Sequence, residues 1–477
     1  MGFGGARTRP TYCERVDQRP LRVAVVGSGP SGIYAAEALT RQTDVEIDVD
    51  VLDRLPTPFG LVRYGVAPDH LSIRGIRETL WRLLRDPSVR FLGNVELGTD
   101  LTVEELRRHY DAVVYTFGAS ADRRLGIPGE DLPGSLPATD VVAWYCGHPD
   151  AARGAVEEAL LTARSAVVVG VGNVALDVGR VLARCGALDH TDMPEHVLSA
   201  LGSCPVRQIH LLGRRSPAHA AFTTKELREL GKLEGVSVRV DPADLAPHPA
   251  TDAILASDRA VARNVDVLRG WAEADESGSG PTGVHLRFFT RPVEILGRDR
   301  VEGVVVERTA LADDGSVVGT GERSVIEAQL VVRSVGYRGV PMVGLPFDSR
   351  LNVVPHEQGR VVRDGVAAAG EYVAGWIKRG PSGVIGTNKA DAHETVATLL
   401  EDATSGALPR AERPGRDAVT DLLAERGVRV FTLDDWRAID AAEIALGESR
   451  GRARTTLATR DALLDAVRAT MPAEPIN

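Results

Sequence analysis

The feature that constrains this chain most is a glycine-rich turn that occurs twice, each time directly after an apolar, strand-like run. Residues 21–26 lead into Gly27-Ser28-Gly29-Pro30-Ser31-Gly32, and residues 166–169 lead into Gly170-Val171-Gly172-Asn173-Val174-Ala175. Glycine in these turns permits a tight bend, a close backbone approach to a pyrophosphate, and close packing of the next helix on the strand. The helix N-terminus then faces the phosphates. Two such turns predict two bound dinucleotides.

Length and composition restrict the class of protein. A chain of 477 residues is too long for one ordinary core, so two domains are expected. Hydrophobic and charged contents of 43% and 26% are typical of soluble globular proteins. No apolar run reaches membrane-spanning length and the first nine residues lack a secretory signal, which predicts a cytoplasmic protein without membrane insertion. A net charge of -10 argues against general binding of nucleic acid.

The cysteines limit the redox chemistry available to the chain. Cys13, Cys146, Cys185 and Cys204 form no Cys-x-x-Cys pair and have no spacing typical of a zinc or iron-sulfur site. No metal site is therefore expected, and any electrons that the chain handles must reside on organic cofactors.

The order of predicted elements indicates one domain inserted in another. We expect an α/β fold of two Rossmann-like dinucleotide-binding domains in a glutathione-reductase-like arrangement. The predicted segments are a flexible N-terminal arm (1–20), the first domain (21–122), the inserted second domain (123–337) and the return to the first (338–477). A segment rich in Pro and Gly, 56–70, is expected to be irregular rather than helix or strand.

The strand that follows each turn ends in a different kind of side chain. The first, 45–52, ends at Asp53, where a carboxylate accepts hydrogen bonds from adenosine ribose hydroxyls; the alternative is a solvated strand end. The second, 206–212, ends at Arg214 and Arg215, which favour a phosphorylated ribose and thus NADP over NAD. Solvated surface arginines are the alternative there. The long spacing before the Arg pair predicts extra helical material.

Several stretches together resemble the adrenodoxin-reductase-like ferredoxin-NADP reductases, including bacterial and mycobacterial members. The two glycine-rich turns belong to this pattern, but other matching stretches are much more specific to the family. The resemblance covers nearly the whole chain from residue 21 onward and rests on residues 25–32, 58–63, 66–70, 172–177, 213–215, 221–230 and 375–389.

The resemblance implies FAD in the first site and NADPH in the second, with hydride transfer from nicotinamide to flavin N5 and electrons leaving singly. The positions that match family FAD contacts are Pro30, Ser31, Gly32, Asp53, Leu61, Val95, Trp376, Gly383, Val384 and Ile385. The last four match the segment beside the flavin ring. Relatives commonly carry Glu at the position of Asp53, so the shorter side chain leaves the ribose contact less certain.

The same resemblance assigns the nicotinamide side. The positions that match NADPH contacts are Arg123, Gly172, Asn173, Val174, Arg214, Arg215, Glu226 and Gly383. His70 and Glu229 match a pair that relatives place near the nicotinamide and the flavin, and are the candidate catalytic residues. Their predicted role is proton management or positioning of the ring. Hydride transfer needs no general base, so the alternative is that they only order the pocket.

The resemblance also implies an acidic ferredoxin-type iron-sulfur partner, or a flavodoxin, bound by a chain that is itself expected to be a monomer. Arg259, Arg263 and Arg269 lie in a predicted helix, 258–271, where relatives carry basic docking residues; a solvated helix face is the alternative. Competing functions are a pyridine nucleotide-disulfide reductase, a glutamate-synthase-type electron-entry subunit and a nucleotide sensor without turnover. The missing Cys-x-x-Cys pair and the missing N-terminal cysteine cluster disfavour the first two.

Overall fold

A computed structural model of the chain describes residues 19–42, 45–274, 280–312 and 314–470. The predicted arm and Cys13 lie outside these residues, apart from Arg19 and Pro20. The Arg19 guanidinium donates hydrogen bonds to both carboxylate oxygens of Asp111, at 2.7 Å each. The described chain is therefore tied to the first domain before its first strand begins at Leu21.

The described residues form strands and helices in an alternating order typical of α/β proteins. The strands are β1 (Leu21–Val26), β2 (Ile47–Asp53), β3 (Val89–Gly93), β4 (Ala112–Tyr115), β5 (Ala121–Asp122), β6 (Ser135–Pro137), β7 (Ser165–Val169), β8 (Gln208–Leu212), β9 (Val236–Val240), β10 (Thr282–Arg287), β11 (Thr290–Leu296), β12 (Gly303–Leu311), β13 (Val317–Glu327), β14 (Leu330–Arg333), β15 (Tyr337–Arg338), β16 (His356–Glu357), β17 (Arg360–Arg363) and β18 (Val366–Val373). The helices are α1 (Pro30–Arg41), α2 (Leu61–Tyr64), α3 (Leu71–Arg74), α4 (Ile76–Leu84), α5 (Val103–His109), α6 (Ala138–Tyr145), α7 (Arg153–Thr162), α8 (Asn173–Ala183), α9 (Glu195–Gly202), α10 (Thr224–Leu230), α11 (Pro249–Ser257), α12 (Arg259–Glu273), α13 (Trp376–Arg379), α14 (Thr387–Ser405), α15 (Ala418–Glu425), α16 (Leu433–Glu448) and α17 (Arg460–Arg468). Among the described residues, no helix is both long enough and apolar enough to cross a membrane.

The first sheet combines strands from the two ends of the chain. Its order is β16-β17-β18-β4-β1-β2-β3, with β18, β4, β1, β2 and β3 parallel and β17 and β16 antiparallel at one edge. Both faces of β1 are buried, as expected for a parallel strand that is covered on both sides. The glycine-rich turn after β1 therefore opens at the carboxyl edge of a rigid sheet, between β1 and α1.

The second sheet lies between these two parts of the sequence. Its strands are all parallel, in the order β6-β14-β7-β8-β10-β9, and a three-stranded antiparallel sheet, β11-β12-β13, packs on one of its faces. Helices α6, α8 and α10 contribute to the core on the other face. The predicted fold of two Rossmann-like dinucleotide-binding domains is confirmed.

A two-stranded ribbon joins the two sheets. Its strands are β5 and β15, which pair antiparallel where the chain leaves the first sheet and where it returns. Division of the chain at residues 122 and 337 into an outer domain and an inserted one remains our proposal, and this pairing supports it. The two crossings lie side by side, so one short ribbon carries both connections.

Of three local predictions of secondary structure, one is wrong and two agree with the structure. The expectation that residues 56–70 hold no helix is wrong, because α2 forms one helical turn after Gly60, which has a positive φ of 50°. The extra helical material between the second turn and Arg214 is present as α9, which follows the ordinary turn helix α8. The helix predicted over 258–271 is α12, and Asp258 accepts hydrogen bonds from the amides of its first turn.

Candidate active site between two glycine-rich turns

The first turn is shaped by two glycines that could not carry a side chain. Gly27 has φ +113°, and a Cβ on it would lie 2.8 Å from the Thr116 carbonyl oxygen. A Cβ on Gly32 would overlap the carbonyl oxygen of Gly27. Gly29 instead faces open space, with nothing within 4 Å of such a Cβ, and Pro30 begins α1 behind it. This leaves room for a pyrophosphate at the amides of the first helical turn.

Asp53 lies at the end of β2 and is already bound to the turn. One of its oxygens accepts hydrogen bonds from the Ser28 amide at 2.9 Å and the Ser28 hydroxyl at 2.5 Å. The other accepts from the Leu55 amide at 2.9 Å. Burial raises the pKa of Asp53, and these hydrogen bonds partly oppose the shift. The carboxylate therefore braces the turn, whether or not it also reaches a ribose.

The segment 56–70 closes over this turn. A Cβ on Gly60 would lie 3.0 Å from the Gly29 Cα, so the two backbones nearly touch. Leu61, which follows, is 41% exposed and available to a ligand. Val95 is buried, and its amide donates to the carbonyl oxygen of Asp53. Leu61 thus faces outward near the turn, while Val95 lies in the packed wall behind it.

The loop from Trp376 to Asn388 meets the turn from the C-terminal half of the chain. A Cβ on Gly375 would overlap the Ser31 hydroxyl, which donates a hydrogen bond to Asn388 Oδ1 at 3.0 Å. The Trp376 ring lies 5.4 Å from the Tyr337 ring, and its buried indole N–H has no partner among the described residues.

Beyond this contact the loop opens toward solvent. Gly383 and Val384 are exposed and Ile385 is half-buried, so this stretch is accessible to a ligand. An open cradle at Gly29, an unpartnered indole donor and an exposed apolar loop fit a flavin dinucleotide. Pro30, Ser31, Gly32, Leu61 and Trp376 through Ile385 could hold it.

The second turn repeats this geometry with one change. Gly170 has φ +136°, and a Cβ on it would overlap the Ser334 carbonyl oxygen, whereas Gly172 faces open space. The third position is Ala175, whose side chain is buried. Asn173, the first residue of α8, accepts a hydrogen bond from the Thr223 amide at 2.8 Å, and half-buried Val174 follows it. The segment 221–230 is thereby attached to the turn.

Cationic side chains surround this second turn without local counterions. Arg214 and Arg215 are exposed just after β8, and Arg123 is exposed at the ribbon. Within the described residues none of the three side chains forms an ion pair, so all could bind phosphate. Glu226 is buried, and its Oε2 has no hydrogen-bond partner in the part of the chain described. This donor set fits a phosphorylated nicotinamide dinucleotide.

His70 lies where the two domains meet. It belongs to the first domain, but its Nε2 lies 3.2 Å from Asp177 Oδ1 of α8 and 3.2 Å from Glu229 Oε2 of α10, both in the second. The ring is 3% exposed, and neither nitrogen forms a well-aligned hydrogen bond with any described residue. The predicted pair of His70 and Glu229 is thus brought together. Asp177 was not singled out as a site residue, although it ends the motif 172–177.

The three predicted docking arginines share helix α12. All are exposed, and the helix is attached to the segment 221–230 by the Asn264 side-chain amide, which donates to the Phe222 carbonyl at 3.1 Å. Arg269 pairs with Asp266 at 3.1 Å. Neither Arg259 nor Arg263 forms an ion pair with a residue that the structure describes. These two arginines are exposed on a helix that packs against α10, among the exposed acids Asp258, Asp266 and Glu273.

Comparison with known proteins agrees with this arrangement. The family model described as pyridine nucleotide-disulphide oxidoreductase matches residues 21–243. The chain is 46% identical over 459 residues to the NADPH-ferredoxin reductase FprA of Mycobacterium tuberculosis, covering 94% of this chain and 99% of that protein. It is 40% identical over 472 residues to the mitochondrial NADPH:adrenodoxin oxidoreductase of Arabidopsis thaliana, covering 95% and 97%.

A solved structure of a relative has the same fold. The structure of Mycobacterium tuberculosis FprA in complex with NADPH matches with a TM-score of 0.87 at 44% identity, covering 94% of this chain and all of that one. The chain has two dinucleotide-binding turns, and its identity to these relatives is well above 30% over almost its whole length. It therefore belongs to the adrenodoxin-reductase-like family of NADPH-dependent ferredoxin reductases, whose cofactors are FAD and NADPH.

Proposed function

We propose that the chain is a ferredoxin–NADP(+) reductase that takes a hydride from NADPH onto FAD and delivers electrons one at a time to an acidic, ferredoxin-type iron-sulfur protein. One observation carries this proposal. His70, from the domain with the first turn, lies 3.2 Å from acids on two helices of the domain with the second. Two nucleotides bound at the two turns would meet there. FAD supplies the chemistry, because it accepts a hydride and releases single electrons.

At the flavin side, the proposed role of this chain is to bind and to orient. The Ser31 and Gly32 amides at the start of α1 would hold the pyrophosphate, while Pro30, which has no N–H, begins the helix. Trp376 would offer its buried, unpartnered N–H, while the amides of Gly383, Val384 and Ile385 would stabilise negative charge on the reduced ring. Asp53 already accepts three hydrogen bonds, and its carboxylate could accept one more from a ribose hydroxyl.

At the nicotinamide side, Gly172, Asn173 and Val174 would hold the second pyrophosphate at the start of α8. Arg214 and Arg215 would clamp the ribose phosphate, and exposed Arg123 would contact the nucleotide from the ribbon. The buried, unpartnered Oε2 of Glu226 would accept a hydrogen bond from the nicotinamide half of the nucleotide.

His70 and Glu229 would set the angle of the two rings. A ring nitrogen held between two carboxylates is suited to keeping a proton at Nε2. Hydride transfer itself consumes no proton from these groups, so their proposed contribution is positioning and proton management rather than general base catalysis.

The partner would dock on the basic surface formed by Arg259, Arg263 and Arg269 of α12. Helix α12 packs against α10, which carries Glu229, so a protein docked on the exposed face of α12 would be near the active site. An acidic partner complements this surface even though the chain has a net charge of -10. We propose a ferredoxin as the partner, with flavodoxin as an alternative that the same surface could accept. We further propose a cytoplasmic monomer.

Ionic strength and charge reversal test the docking surface. We expect cytochrome c reduction through ferredoxin to fall steeply with salt, because long-range attraction speeds association. Arg263→Glu with Arg269→Glu should lower the rate at low salt by about 10-fold or more, as expected for lost steering. NADPH oxidation with ferricyanide, which needs no extended surface, should keep its wild-type rate.

A matched control lies in the C-terminal helices. Arg437 and Arg468 are exposed and pair with acids three residues away, as Arg269 does. Reversing both should leave ferredoxin reduction unchanged. If the α12 reversal behaves like this control, the docking surface is wrong but the reductase function stands. If NADPH fails to bleach the flavin of wild-type protein, the function itself is wrong.

A further inference from the structure

A buried arginine, Arg180, contacts two acids near His70: Asp69, which precedes it in the chain, and Asp177, which lies beside its ring. Arg180 of α8 donates to both oxygens of Asp69, through Nε at 2.7 Å and Nη2 at 2.9 Å. Its remaining terminal nitrogen, Nη1, lies 2.9 Å from Asp177 Oδ1. The Arg180 and Asp69 side chains are only 3% and 4% exposed. One guanidinium thus spans two carboxylates with the rigid geometry that distinguishes arginine from lysine.

Both carboxylates bear directly on the imidazole. Asp69 precedes His70 in the chain, so a fixed Asp69 fixes the backbone from which the imidazole projects. Asp177 Oδ1, which lies 2.9 Å from Arg180 Nη1 as an ion pair without a well-aligned hydrogen bond, is also the atom 3.2 Å from His70 Nε2. Asp69 belongs to the first domain, while Arg180 and Asp177 belong to the second. Arg180 is therefore hydrogen-bonded to the residue that precedes His70 and ion-paired with the carboxylate beside Nε2, across the domain junction.

We propose that Arg180 is a positioning residue for hydride transfer, which acts by holding Asp69 and Asp177 so that His70 keeps one orientation between the two nucleotides. This inference rests on the proposed function and extends it to a residue outside the proposed cofactor contacts. Its expected effect is on the rate of the chemical step, since displacement of a positioned group by about 1 Å costs up to about 100-fold.

A purely structural role for Arg180 would be to neutralise the buried charge of Asp69. Burial tends to raise the pKa of Asp69, but its hydrogen bonds with Arg180 and the nearby charges of Arg180, His70 and Arg184 lower it overall. Arg184 also reaches Asp69, at 3.2 Å, but no contact joins it to Asp177 in the structure as described. Comparison of the two arginines therefore separates neutralisation of Asp69 from positioning of His70.

The test is a pair of charge-conserving variants, Arg180→Lys and Arg184→Lys, in the FAD-loaded protein. Lysine keeps the positive charge but cannot span two carboxylates. We expect Arg180→Lys to lower the stopped-flow rate of flavin reduction at saturating NADPH by roughly 10- to 100-fold. FAD content should be unchanged. The dissociation constant for NADP+ should change by less than about threefold, which is less than the roughly tenfold change expected when one contact to the nucleotide is lost. Arg184→Lys should stay within about twofold of wild type in all three.

A second readout does not depend on activity. In protein labelled with ¹⁵N-histidine, the ring resonances of His70 can be assigned by their loss in His70→Gln. Arg180→Lys should shift them, because the hydrogen-bonding surroundings of Nε2 change, and Arg184→Lys should leave them in place. Should Arg180→Lys fail to fold, Asp69→Asn removes the charge from the other partner and should give the same rate loss and shift.

Two results would overturn the inference. One is a hydride-transfer rate in Arg180→Lys, or in Asp69→Asn, within about twofold of wild type with His70 resonances unmoved. The other is an equal loss in Arg184→Lys, which would show that only charge neutralisation of Asp69 matters. Either would leave the proposed function intact, whereas absence of flavin bleaching by NADPH in the wild-type protein would remove the function itself.

Discussion

The two glycine-rich turns have the same backbone plan and different surroundings. In each, the first glycine has a positive φ and lies against the residue that follows a neighbouring parallel strand, Thr116 or Ser334, and the second faces open space. The third residue is Gly32 in one turn and Ala175 in the other. The first turn is touched by Gly60 and by Gly375 from distant parts of the chain. The second is attached to segment 221–223, where the Ala221 amide donates to the Val171 carbonyl oxygen and the Thr223 amide donates to Asn173, and exposed arginines follow the neighbouring strand β8.

This difference corresponds to two kinds of ligand. A turn contacted by two distant chain segments and braced by a buried acid is suited to a cofactor that stays bound through many turnovers. A turn whose charged groups lie exposed and unpaired is suited to a nucleotide that must enter and leave in each cycle, guided by electrostatic attraction. The same local motif thus serves a resident and an exchanging nucleotide, and the surrounding tertiary contacts distinguish them.

The largest effect is expected at the third position of the first turn, and a much smaller one at the same position of the second. Gly32→Ala should abolish FAD binding, because the added Cβ would overlap the Gly27 carbonyl. The reverse change in the second turn, Ala175→Gly, fits without overlap and should lower the free energy of unfolding by only about 0.5–1 kcal/mol. Flavin absorbance of the purified variants and urea unfolding measure the two outcomes. Full FAD occupancy in Gly32→Ala would contradict the close packing inferred for the first turn.

The arginines of the second turn should show the next largest effect. Replacing Arg214 and Arg215 together with Ala should weaken NADPH by about 2–4 kcal/mol, which is roughly 30- to 700-fold in affinity. NADH should be nearly unaffected, since it lacks the ribose phosphate. The exposed pair Arg298 and Arg300, in the same domain, provides a control that should leave both nucleotides unchanged. Equal weakening toward NADPH and NADH would sink the assignment.

A smaller effect is expected for the acid of the first turn. Asp53→Asn leaves at least one of its three donors, the Ser28 amide, the Ser28 hydroxyl or the Leu55 amide, without a good acceptor. We expect FAD to bind about 1–2 kcal/mol more weakly and NADP+ to bind as before. Asp48→Asn, at the other end of the same strand, is the control. Titration of apoprotein with FAD measures the difference, and an unchanged affinity would limit Asp53 to filling space.

The sequence predicted features that depend on short stretches of chain. Both turns, their strands and the cationic strand end at Arg214 follow from local pattern, and the helix predicted over 258–271 is present as α12. The site as a whole depends on contacts between distant residues. Arg180 and Asp69 are separated by 111 positions, and Ser31 and Asn388 by 357. Local patterns do not specify such pairs, so Arg180 was missed.

Resemblance predicted more of the site than residue chemistry did. Nothing in the local pattern of Trp376 indicates that its indole lies beside Tyr337 at the junction, and the family motif alone pointed to it. The turn of helix at Leu61 was missed because Pro56, Pro58 and Gly60 indicate irregular structure. Tertiary contact with the first turn stabilises that helical turn despite these residues.

The most direct test of the contrast between resident and exchanging nucleotides is a dialysis experiment followed by reduction. Protein purified with excess FAD and NADP+ should, after extensive anaerobic dialysis, retain FAD in every chain and no NADP+. Addition of NADPH should then bleach the flavin band, and addition of NADH at the same concentration should do so far more slowly. Loss of FAD together with NADP+, or retention of both, would contradict the account, as would equal bleaching by NADPH and NADH.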